Sequence, residues 1–267
     1  MIRISHEVPL CMLKESRSFN DYDYALVHLL DKYPKYLSFY KESLKMGREV
    51  ILDNSLYELG EAFDMRCYYD WIQKLDPTYY IIPDTFWDSQ ATIGQADQWM
   101  IDYGWRLPNK KIGVAQGCSY DEIKQSYLYM SEFCDIVAFT FKYHPQMIAD
   151  MREYENIADA QAHIRYKVLS KLESDGVINH HIRHHLLGMQ NTLYLKEICQ
   201  LSWIDSIDTS NPIMYGLEGY MYGRDGNTHM DKPMLKLDDV FEMEINLNSH
   251  DKIIYNIDKF REMTKNR

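Results

Sequence analysis

The amino-acid sequence predicts an α/β fold, and within that class a (β/α)8 TIM-type barrel that residues 1–267 form as a single domain. Short apolar segments alternate with amphipathic helical patterns along nearly the whole chain, which is typical of a parallel sheet with crossover helices. Several apolar segments end in a polar side chain, as barrel strands do at the face where active sites form. No glycine-rich turn of the G-x-G-x-x-G type follows an early strand, so a doubly wound nucleotide-binding fold fits less well.

The strands are predicted from apolar and β-branched runs that are bounded by polar or turn-forming residues. Because these runs alternate with helical patterns, each connection is expected to be a right-handed crossover between parallel strands. Seven runs meet the criteria, and an eighth candidate lies closer to the carboxyl terminus. In chain order, the seven cover residues 24–30, 49–53, 78–83, 111–116, 135–140, 184–188 and 203–208, and the eighth candidate covers 240–247.

The helices are predicted from apolar residues spaced three and four positions apart. Residues 119–133 open with Ser119 and Glu122 in capping-box spacing, and their apolar side chains then fall on one face. The same one-sided pattern covers residues 88–104 and 251–264. A more polar helical pattern predicts a helical insertion in the barrel at about residues 146–180.

The composition indicates a globular chain. Hydrophobic residues make up 46% and charged residues 26%. No apolar run approaches the roughly 20 residues that a membrane helix needs, so no membrane partner is expected. The amino-terminal segment lacks the apolar core of a secretory signal, so we expect a cytoplasmic location, in the host cytoplasm if a phage encodes the chain.

The charge balance bears on the partner. A formal net charge of -11 repels polyanions unless a local basic patch overrides it, which counts against nucleic-acid binding without excluding it. Candidates for such a patch are Lys110, Lys111, Arg183 and the tail at 259–267, although ordinary solvated charge explains each of them taken singly.

Cysteine and histidine usage predicts no metal site. The five cysteines are widely spaced, with no pair at the interval of a structural zinc site, and they are expected to be reduced thiols. The ten histidines include one cluster, HHIRHH at 180–185, which lacks a nearby cysteine or acidic partner. We interpret this cluster as a partly solvated polar segment.

Four predicted strands end in a polar side chain, and these residues are Asp53, Asp84, Gln116 and Asp208. A helix cap explains any one aspartate, but gathered carboxylates repel one another and need a compensating use. Metal binding is the weaker use, because no histidine or second carboxylate ends an adjoining strand. Recognition of a planar polar heterocycle is the stronger one: carboxylates accept N–H groups, an amide donates to a carbonyl, and Tyr57 stacks on the ring. One remaining aspartate could attack a sugar carbon, which fits a purine base joined to a sugar.

These residues resemble the tRNA-guanine transglycosylase superfamily, and most of all its shorter phage-type members, which place 7-deazaguanine bases in DNA. DNSLYE at 53–58 keeps the aspartate and the aromatic of the family motif D-S-G-G-[YF]-Q, and PD at 83–84 matches the second base-binding aspartate. GVAQG at 113–117 is similar to the family's glutamine-containing strand end. DSIDTSNP at 205–212 resembles the F-D-x-x-x-P segment, with Asp208 in the place of the nucleophile.

Two further segments extend the resemblance, which spans roughly residues 24–223 in the family's order. VAFTF at 137–141 stands where the family has a glycine-rich strand end that supplies backbone contacts to the base, and HLLGM at 185–189 looks like the strand that follows. The resemblance therefore implies that base-binding contacts come from Tyr57, Asp84, Gln116, Gly117, Phe139, Thr140 and Gly188.

The resemblance also implies a mechanism without metal or cofactor. Asp208 attacks C1′ of a guanine nucleotide, Asp53 protonates the leaving base, and a covalent sugar ester remains. A free 7-deazaguanine then loses a proton to Asp53 and attacks the same carbon. DNA is the favoured polymer partner and a homodimer is a candidate assembly.

The sequence departs from the family in two places. Ser55 and Leu56 replace the two motif glycines, so the pocket floor and the bound base are expected to differ. The cysteine-rich zinc site of the tRNA enzymes has no counterpart in the chain, and hence no zinc subdomain is expected. The alternatives are a tRNA-guanine transglycosylase, glycosyl transfer or hydrolysis on nucleosides or nucleotides, and a non-catalytic binding subunit with the same fold.

Overall fold

The computed structural model describes residues 2–149, 156–189, 191–224, 226 and 237–265. The chain divides into two compact units. The central unit comprises Tyr22–Thr140 and Asn179–His184, and the terminal unit comprises Met1–Asp21, Phe141–Ile178 and His185–Arg267.

The strands form one eight-stranded sheet. In chain order they are β1 (Arg3–Ser5), β2 (Asp23–Leu26), β3 (Val50–Asp53), β4 (Tyr79–Ile81), β5 (Lys110–Ala115), β6 (Ile136–Phe139), β7 (Arg183–Leu186) and β8 (Ser206–Asp208). Their order in the sheet is β1-β8-β7-β6-β5-β4-β3-β2, and the ladders β1–β8, β2–β3, β3–β4, β4–β5, β5–β6 and β7–β8 are all parallel.

Helices lie between consecutive strands and after the last one. In chain order they are α1 (Leu13–Ser16), α2 (Val27–Lys32), α3 (Pro34–Lys45), α4 (Leu56–Leu59), α5 (Met65–Leu75), α6 (Ser89–Asp102), α7 (Tyr120–Met130), α8 (Pro145–Ala149), α9 (Ile157–Ser174), α10 (Leu195–Ile198), α11 (Asn211–Leu217), α12 (Leu237–Val240) and α13 (Leu247–Thr264). Short 3-10 helices at Leu10–Met12 and Gly104–Arg106 complete the connections. Eight parallel strands with a helical connection after each confirm the predicted (β/α)8 fold class.

The predicted eighth strand at 240–247 is wrong. This segment contains the last residue of α12, a turn, and the start of α13. The remaining strand is β1, which has only three residues, too few to show a periodic pattern. Its position in the sheet is set by its ladder to β8, in which Ser5 is paired with Asp208.

The predicted strand at 24–30 is too long. The run YALVHLL changes from β2 to α2 at Val27, and Val27, Leu29 and Leu30 are buried on the helix. A continuous apolar run does not distinguish a buried strand from a buried helix, and here it contains both.

The other predicted helices are confirmed with small shifts at their ends. The Ser119 side chain accepts a hydrogen bond from the backbone N–H of Glu122 and caps α7, as its spacing predicted. The last helix is longer than predicted, because Asn246 caps it one turn earlier. The predicted insertion at 146–180 contains α8 and α9, and residues 150–155 lie outside the described residues.

The core of the central unit is aromatic where α5 and α6 cover the sheet. Tyr68, Tyr80 and Trp99 are fully buried with ring centroids 5.5–6.4 Å apart. The Trp99 indole N–H donates to the Tyr80 hydroxyl at 3.3 Å. The Tyr68 hydroxyl lies 2.9 Å from the carbonyl of Leu52 and 3.0 Å from that of Ile81, so one side chain of α5 connects β3 to β4.

The terminal unit packs α11 closely against α13. A Cβ at Gly216 would lie 2.7 Å from the backbone nitrogen of Ile253, so the glycine permits the contact. Asn256 of α13 reinforces it, because its amide donates to the carbonyls of Pro212 and Tyr220. α11 begins three residues after Asp208, the last residue of β8, so its packing against α13 holds the chain that follows Asp208.

The Tyr68 contact gives a stability prediction. Tyr68→Phe keeps the ring but leaves two buried carbonyls without this donor, so the free energy of unfolding should fall by about 1–2 kcal/mol. Urea unfolding followed by circular dichroism measures it. The control is Tyr69→Phe, a partly exposed neighbour on the same helix, which should change stability by less than about 0.5 kcal/mol. Equal effects of the two variants would contradict the role given to the Tyr68 hydroxyl.

Candidate functional site

Three predicted residues lie together with Asn54 in the central unit, and we call Asp53, Asn54, Asp84 and Gln116 the Asp84 cluster. Asp53 ends β3, Asp84 follows β4, and Gln116 follows β5, and these three strands are neighbours in the sheet. The Asn54 amide donates to Asp84 Oδ1 at 2.8 Å, and the Gln116 amide donates to Asp84 Oδ2 at 2.8 Å. Each carboxyl oxygen of Asp84 therefore receives one amide N–H.

Both amides are themselves fixed by backbone groups. Asn54 Oδ1 accepts from the N–H of Leu56 at 3.0 Å, and its amide nitrogen lies 3.1 Å from the carbonyl of Ile82. Gln116 Oε1 accepts from the N–H of Trp87 at 3.2 Å. A backbone N–H on the oxygen side of each amide determines which end of the amide faces Asp84. Asn54 was not predicted as a site residue, because its role depends on a side-chain contact and not on a strand end.

The pKa of the Asp84 carboxyl group is shifted towards neutral pH. The side chain is buried, and this burial raises the pKa of its carboxyl group from 3.8 to about 6. The amides of Asn54 and Gln116 act in the opposite direction, while the charge of Asp53 adds a smaller upward contribution. A carboxyl group that changes protonation near neutral pH is typical of functional sites.

Asp53 has a different environment. Its Oδ2 accepts from the Tyr24 hydroxyl at 2.7 Å, and its Oδ1 accepts from the N–H of Ser55 at 2.5 Å. It is half-buried, unlike Asp84. Each oxygen of the Asp53 carboxyl group therefore receives a hydrogen bond. Tyr24 lies on β2 and was not predicted as a site residue.

Ser55, at a position where the resemblance predicts a glycine, adopts the left-handed conformation with φ 59° and ψ 27°. Glycine enters this region without strain, whereas a serine there costs about 1 kcal/mol. The Ser55 hydroxyl lies 2.7 Å from His28 Nδ1, and this contact supports the conformation. Ser55 therefore has a side chain at a position whose backbone conformation suits glycine.

Tyr57, predicted to stack on a base, lies on α4 with 37% of its side chain exposed. Gly117 is explained by packing, because a Cβ there would lie 2.7 Å from the backbone nitrogen of Ile123 at the start of α7. The Phe139 ring stacks with the rings of Tyr127 and His184, so a contact of Phe139 with a base would use its backbone. Thr140 is buried directly after β6.

The second group lies in the terminal unit, and we call His185, Gly188, Ser206 and Asp208 the Asp208 cluster. Asp208 ends β8 and is only 3% exposed. His185 Nε2 lies 2.9 Å from Asp208 Oδ1, and the backbone N–H of Gly188 lies 3.2 Å from both carboxylate oxygens. The predicted residues Asp208 and Gly188 are thus in direct contact.

Gly188 has two structural reasons to be glycine. Its φ is +56°, and a Cβ would lie 2.5 Å from the Phe141 ring. The loop is fixed from α9, where the buried Arg165 donates to the carbonyls of Gly188 at 2.7 Å and Leu187 at 3.0 Å. Burial lowers the pKa of Arg165 to about 10, and the charge of Asp208 opposes this shift, so Arg165 stays protonated at neutral pH. The predicted helical insertion therefore supports the loop that contacts Asp208.

The interpretation of residues 180–185 as a partly solvated segment is wrong for two of its histidines. His184 and His185 lie on β7 and are fully buried. His184 faces the Tyr127 hydroxyl, and His185 faces Asp208. His185 is a further candidate site residue that the sequence reasoning missed, and the alternation of side chains along the strand RHHL is the signal that could have separated it from His184.

The contacts Ser206–His185–Asp208 follow the order of a Ser–His–Asp triad. His185 Nδ1 lies 2.9 Å from Ser206 Oγ and its Nε2 lies 2.9 Å from Asp208 Oδ1. A nucleophilic serine must reach its substrate, but Ser206 is fully buried in the strand. Ser206 is therefore not placed to act as a nucleophile.

The chain matches no protein-family model and no curated protein sequence. Within the described residues, His, Cys, Asp and Glu side chains form no group of three or more that could hold a metal ion. None of the described helices is both long and apolar enough to span a bilayer.

The raised pKa of Asp84 predicts how stability depends on pH. The folded chain holds the proton of the Asp84 carboxyl group more tightly than the unfolded chain does. The stabilisation of the fold by this proton is therefore complete below pH 3.8 and is lost as the pH rises through about 6. The loss amounts to about 3 kcal/mol. Asp84→Asn cannot ionise, so its free energy of unfolding should lack this decline.

Urea unfolding of both proteins at a series of pH values measures the difference. The matched control is Asp88→Asn, because Asp88 is an exposed cap of α6 and asparagine caps equally well. The Asp88 variant should follow the wild type across the range. Parallel curves for wild type and Asp84→Asn would contradict the assignment.

Proposed function

We propose that this protein is a base-exchange transglycosylase that replaces guanine in nucleic acid, with DNA favoured, by a 7-deazaguanine derivative through a covalent sugar ester on Asp208. The observation that carries the proposal is the Asp208 carboxylate, which is buried at the end of β8 and oriented by the N–H groups of His185 and Gly188. A carboxylate held in this way suits attack on a sugar carbon. The resemblance in motif order supplies the substrate class.

The Asp84 cluster supports recognition of a guanine-type base. Such a base offers adjacent ring and exocyclic N–H donors and a carbonyl acceptor. Each Asp84 oxygen receives one amide N–H and has further capacity to accept, so an ionised Asp84 can bind the two N–H groups. The Gln116 amide has a second N–H that can donate to the carbonyl. Adenine presents the opposite pattern and would be disfavoured.

The chemistry proceeds in two balanced steps. In the first, Asp208 forms a bond to C1′, the bond from C1′ to the guanine nitrogen breaks, and the departing nitrogen takes a proton from Asp53. In the second, Asp53 removes the ring proton of the incoming 7-deazaguanine, whose nitrogen bonds to C1′ while the ester electrons return to Asp208. Two displacements at one carbon retain its configuration. No metal or cofactor takes part.

A target nucleotide must leave its stack to reach buried carboxylates, so single-stranded or distorted DNA is the easier polymer. The candidate basic residues Lys110 and Arg183 begin β5 and β7, at the opposite end of the strands from the polar residues that follow β4 and β5. Arg183 also donates to the Tyr79 hydroxyl at 3.0 Å and pairs with Glu49. These two residues are therefore not placed to flank the Asp84 cluster.

Transfer on free nucleosides or nucleotides is the second candidate function. It is favoured by the formal charge of -11 together with the intramolecular contacts of Arg183. Base exchange measured in parallel with single-stranded DNA, duplex DNA, tRNA and guanosine monophosphate, using labelled 7-deazaguanine and mass analysis of the nucleosides, separates the candidates. Incorporation into DNA alone supports the proposal, and turnover of the mononucleotide alone replaces it with the second candidate.

The role of Asp208 is tested by Asp208→Asn. The amide is too weak a nucleophile to form the ester, so exchange and the trapped enzyme–sugar adduct should both fall below detection, a loss of at least about 10⁴-fold. The matched control is Asp205→Asn, three residues earlier and outside β8, which should retain exchange. Circular dichroism checks that both variants fold. Undiminished exchange in Asp208→Asn would refute the proposal.

Asp53 is tested by two substitutions. Asp53→Asn keeps an acceptor for the N–H of Ser55 but cannot carry the proton, so turnover should fall by about 10²- to 10⁴-fold while the affinity for free base changes little. Asp53→Ala also removes the contacts to Ser55 and Tyr24 and should weaken both affinity and turnover. Calorimetry gives the affinity and exchange kinetics give the turnover. Equal turnover of Asp53→Asn and wild type would exclude Asp53 as the proton carrier.

A further inference from the structure

His185 contacts the carboxylate of Asp208 but makes and breaks no bond in the mechanism above. It is fully buried on β7, and its ring joins two residues of the neighbouring strand β8 that lie two positions apart. Nδ1 lies 2.9 Å from Ser206 Oγ, and Nε2 lies 2.9 Å from Asp208 Oδ1. Alternate residues of a strand lie on the same face, so one imidazole can span both side chains.

The partners determine the tautomer of His185. An ionised carboxylate only accepts hydrogen bonds, so the contact with Asp208 requires a proton on Nε2. In the neutral ring Nδ1 is then an acceptor, and the Ser206 hydroxyl can donate to it because a hydroxyl rotates to suit its partner. Asp208 thereby selects the form of His185 that directs an N–H at it, and Ser206 holds the ring in place by donating to Nδ1.

We propose that His185, an Nε2–H tautomer whose ring is held by Ser206, is a positioning residue that holds Oδ1 of Asp208 so that the other oxygen, Oδ2, attacks the sugar. This inference rests on the proposed function. In the ester, Oδ2 is bonded to C1′ and Oδ1 is the carbonyl oxygen, which still accepts the His185 N–H. When the second base displaces the ester, negative charge returns to the carboxylate and the same N–H stabilises it. His185 therefore assists both steps without exchanging a proton.

Matched substitutions separate positioning from packing. His185→Gln places an amide N–H close to the position of Nε2, whereas His185→Phe fills similar volume without a donor. We expect His185→Phe to lower kcat by roughly 10- to 100-fold with KM for the base nearly unchanged, and His185→Gln to retain kcat within about threefold of wild type. A packing role would predict losses that glutamine does not rescue.

His184→Gln is the control for a substitution in the same strand, because His184 contacts Tyr127 whereas His185 contacts Asp208. This variant should keep kcat within about threefold of wild type. Ser206→Ala provides a second test if His185→Phe does not fold. It should lower kcat by about 10-fold, because the ring loses the donor that holds it in place, and ¹⁵N-histidine NMR should show the Nε2–H tautomer of His185 in wild type. An Nδ1–H tautomer in wild type, or equal kcat in wild type and Ser206→Ala, would overturn the inference.

The outcomes also distinguish this inference from the proposed function. If Asp208→Asn abolishes exchange while His185→Phe keeps wild-type kcat, only the role of His185 fails. If Asp208→Asn keeps exchange, the proposed function fails and the role of His185 fails with it. Abolished exchange in Asp208→Asn together with rescue of His185→Phe by His185→Gln supports both.

Discussion

The structure around the candidate site depends on the energetic penalty of burying a carboxylate. A buried carboxylate without hydrogen-bond donors is several kcal/mol less favourable than a solvated one. Asp84 and Asp208 are each almost wholly buried, and each receives N–H groups on its carboxylate oxygens. These donors come from side chains at neighbouring strand ends and from the loops that follow the strands. Burial of the two aspartates therefore constrains the side chains and the backbone of the surrounding segments.

The loops satisfy part of this requirement through left-handed backbone. Ser55, Trp87 and Gly188 all have positive φ, and each follows a strand within its loop. The N–H of Ser55 is donated to Asp53, that of Trp87 to Gln116, and that of Gly188 to Asp208. A left-handed residue turns the chain sharply and directs its N–H back towards the strand end. Two of the three are not glycine, and strain of about 1–3 kcal/mol kept in this way is typical of functional sites.

The sequence predicted the site residues that follow from strand polarity, but not those that support them. Asp53, Asp84, Gln116 and Asp208 could be found because the carboxyl ends of parallel strands carry the polar positions of a barrel. Asn54, Tyr24 and Ser206 could not, because their roles depend on register and side-chain direction between strands. The fold class was predicted from alternation alone, whereas the three-residue β1 has no periodicity to detect, and the apolar run containing Val27 does not reveal where the strand becomes a helix.

The two carboxyl groups of the Asp84 cluster differ in a way that suits different tasks. Asp53 receives a hydroxyl and a backbone N–H and is half-buried, so its carboxylate can accept a proton. Asp84 is buried between two neutral amides, and burial still raises its pKa to about 6. A base that donates two N–H groups to Asp84 would supply the stabilisation that burial has removed, and would favour its ionised form. Under the proposed function, binding of a guanine-type base is therefore coupled to release of the Asp84 proton below pH 6, while a base that presents an acceptor gains nothing from this release. The proposed function thus uses the cost of burying the Asp84 carboxylate as selectivity for the donor pattern of guanine.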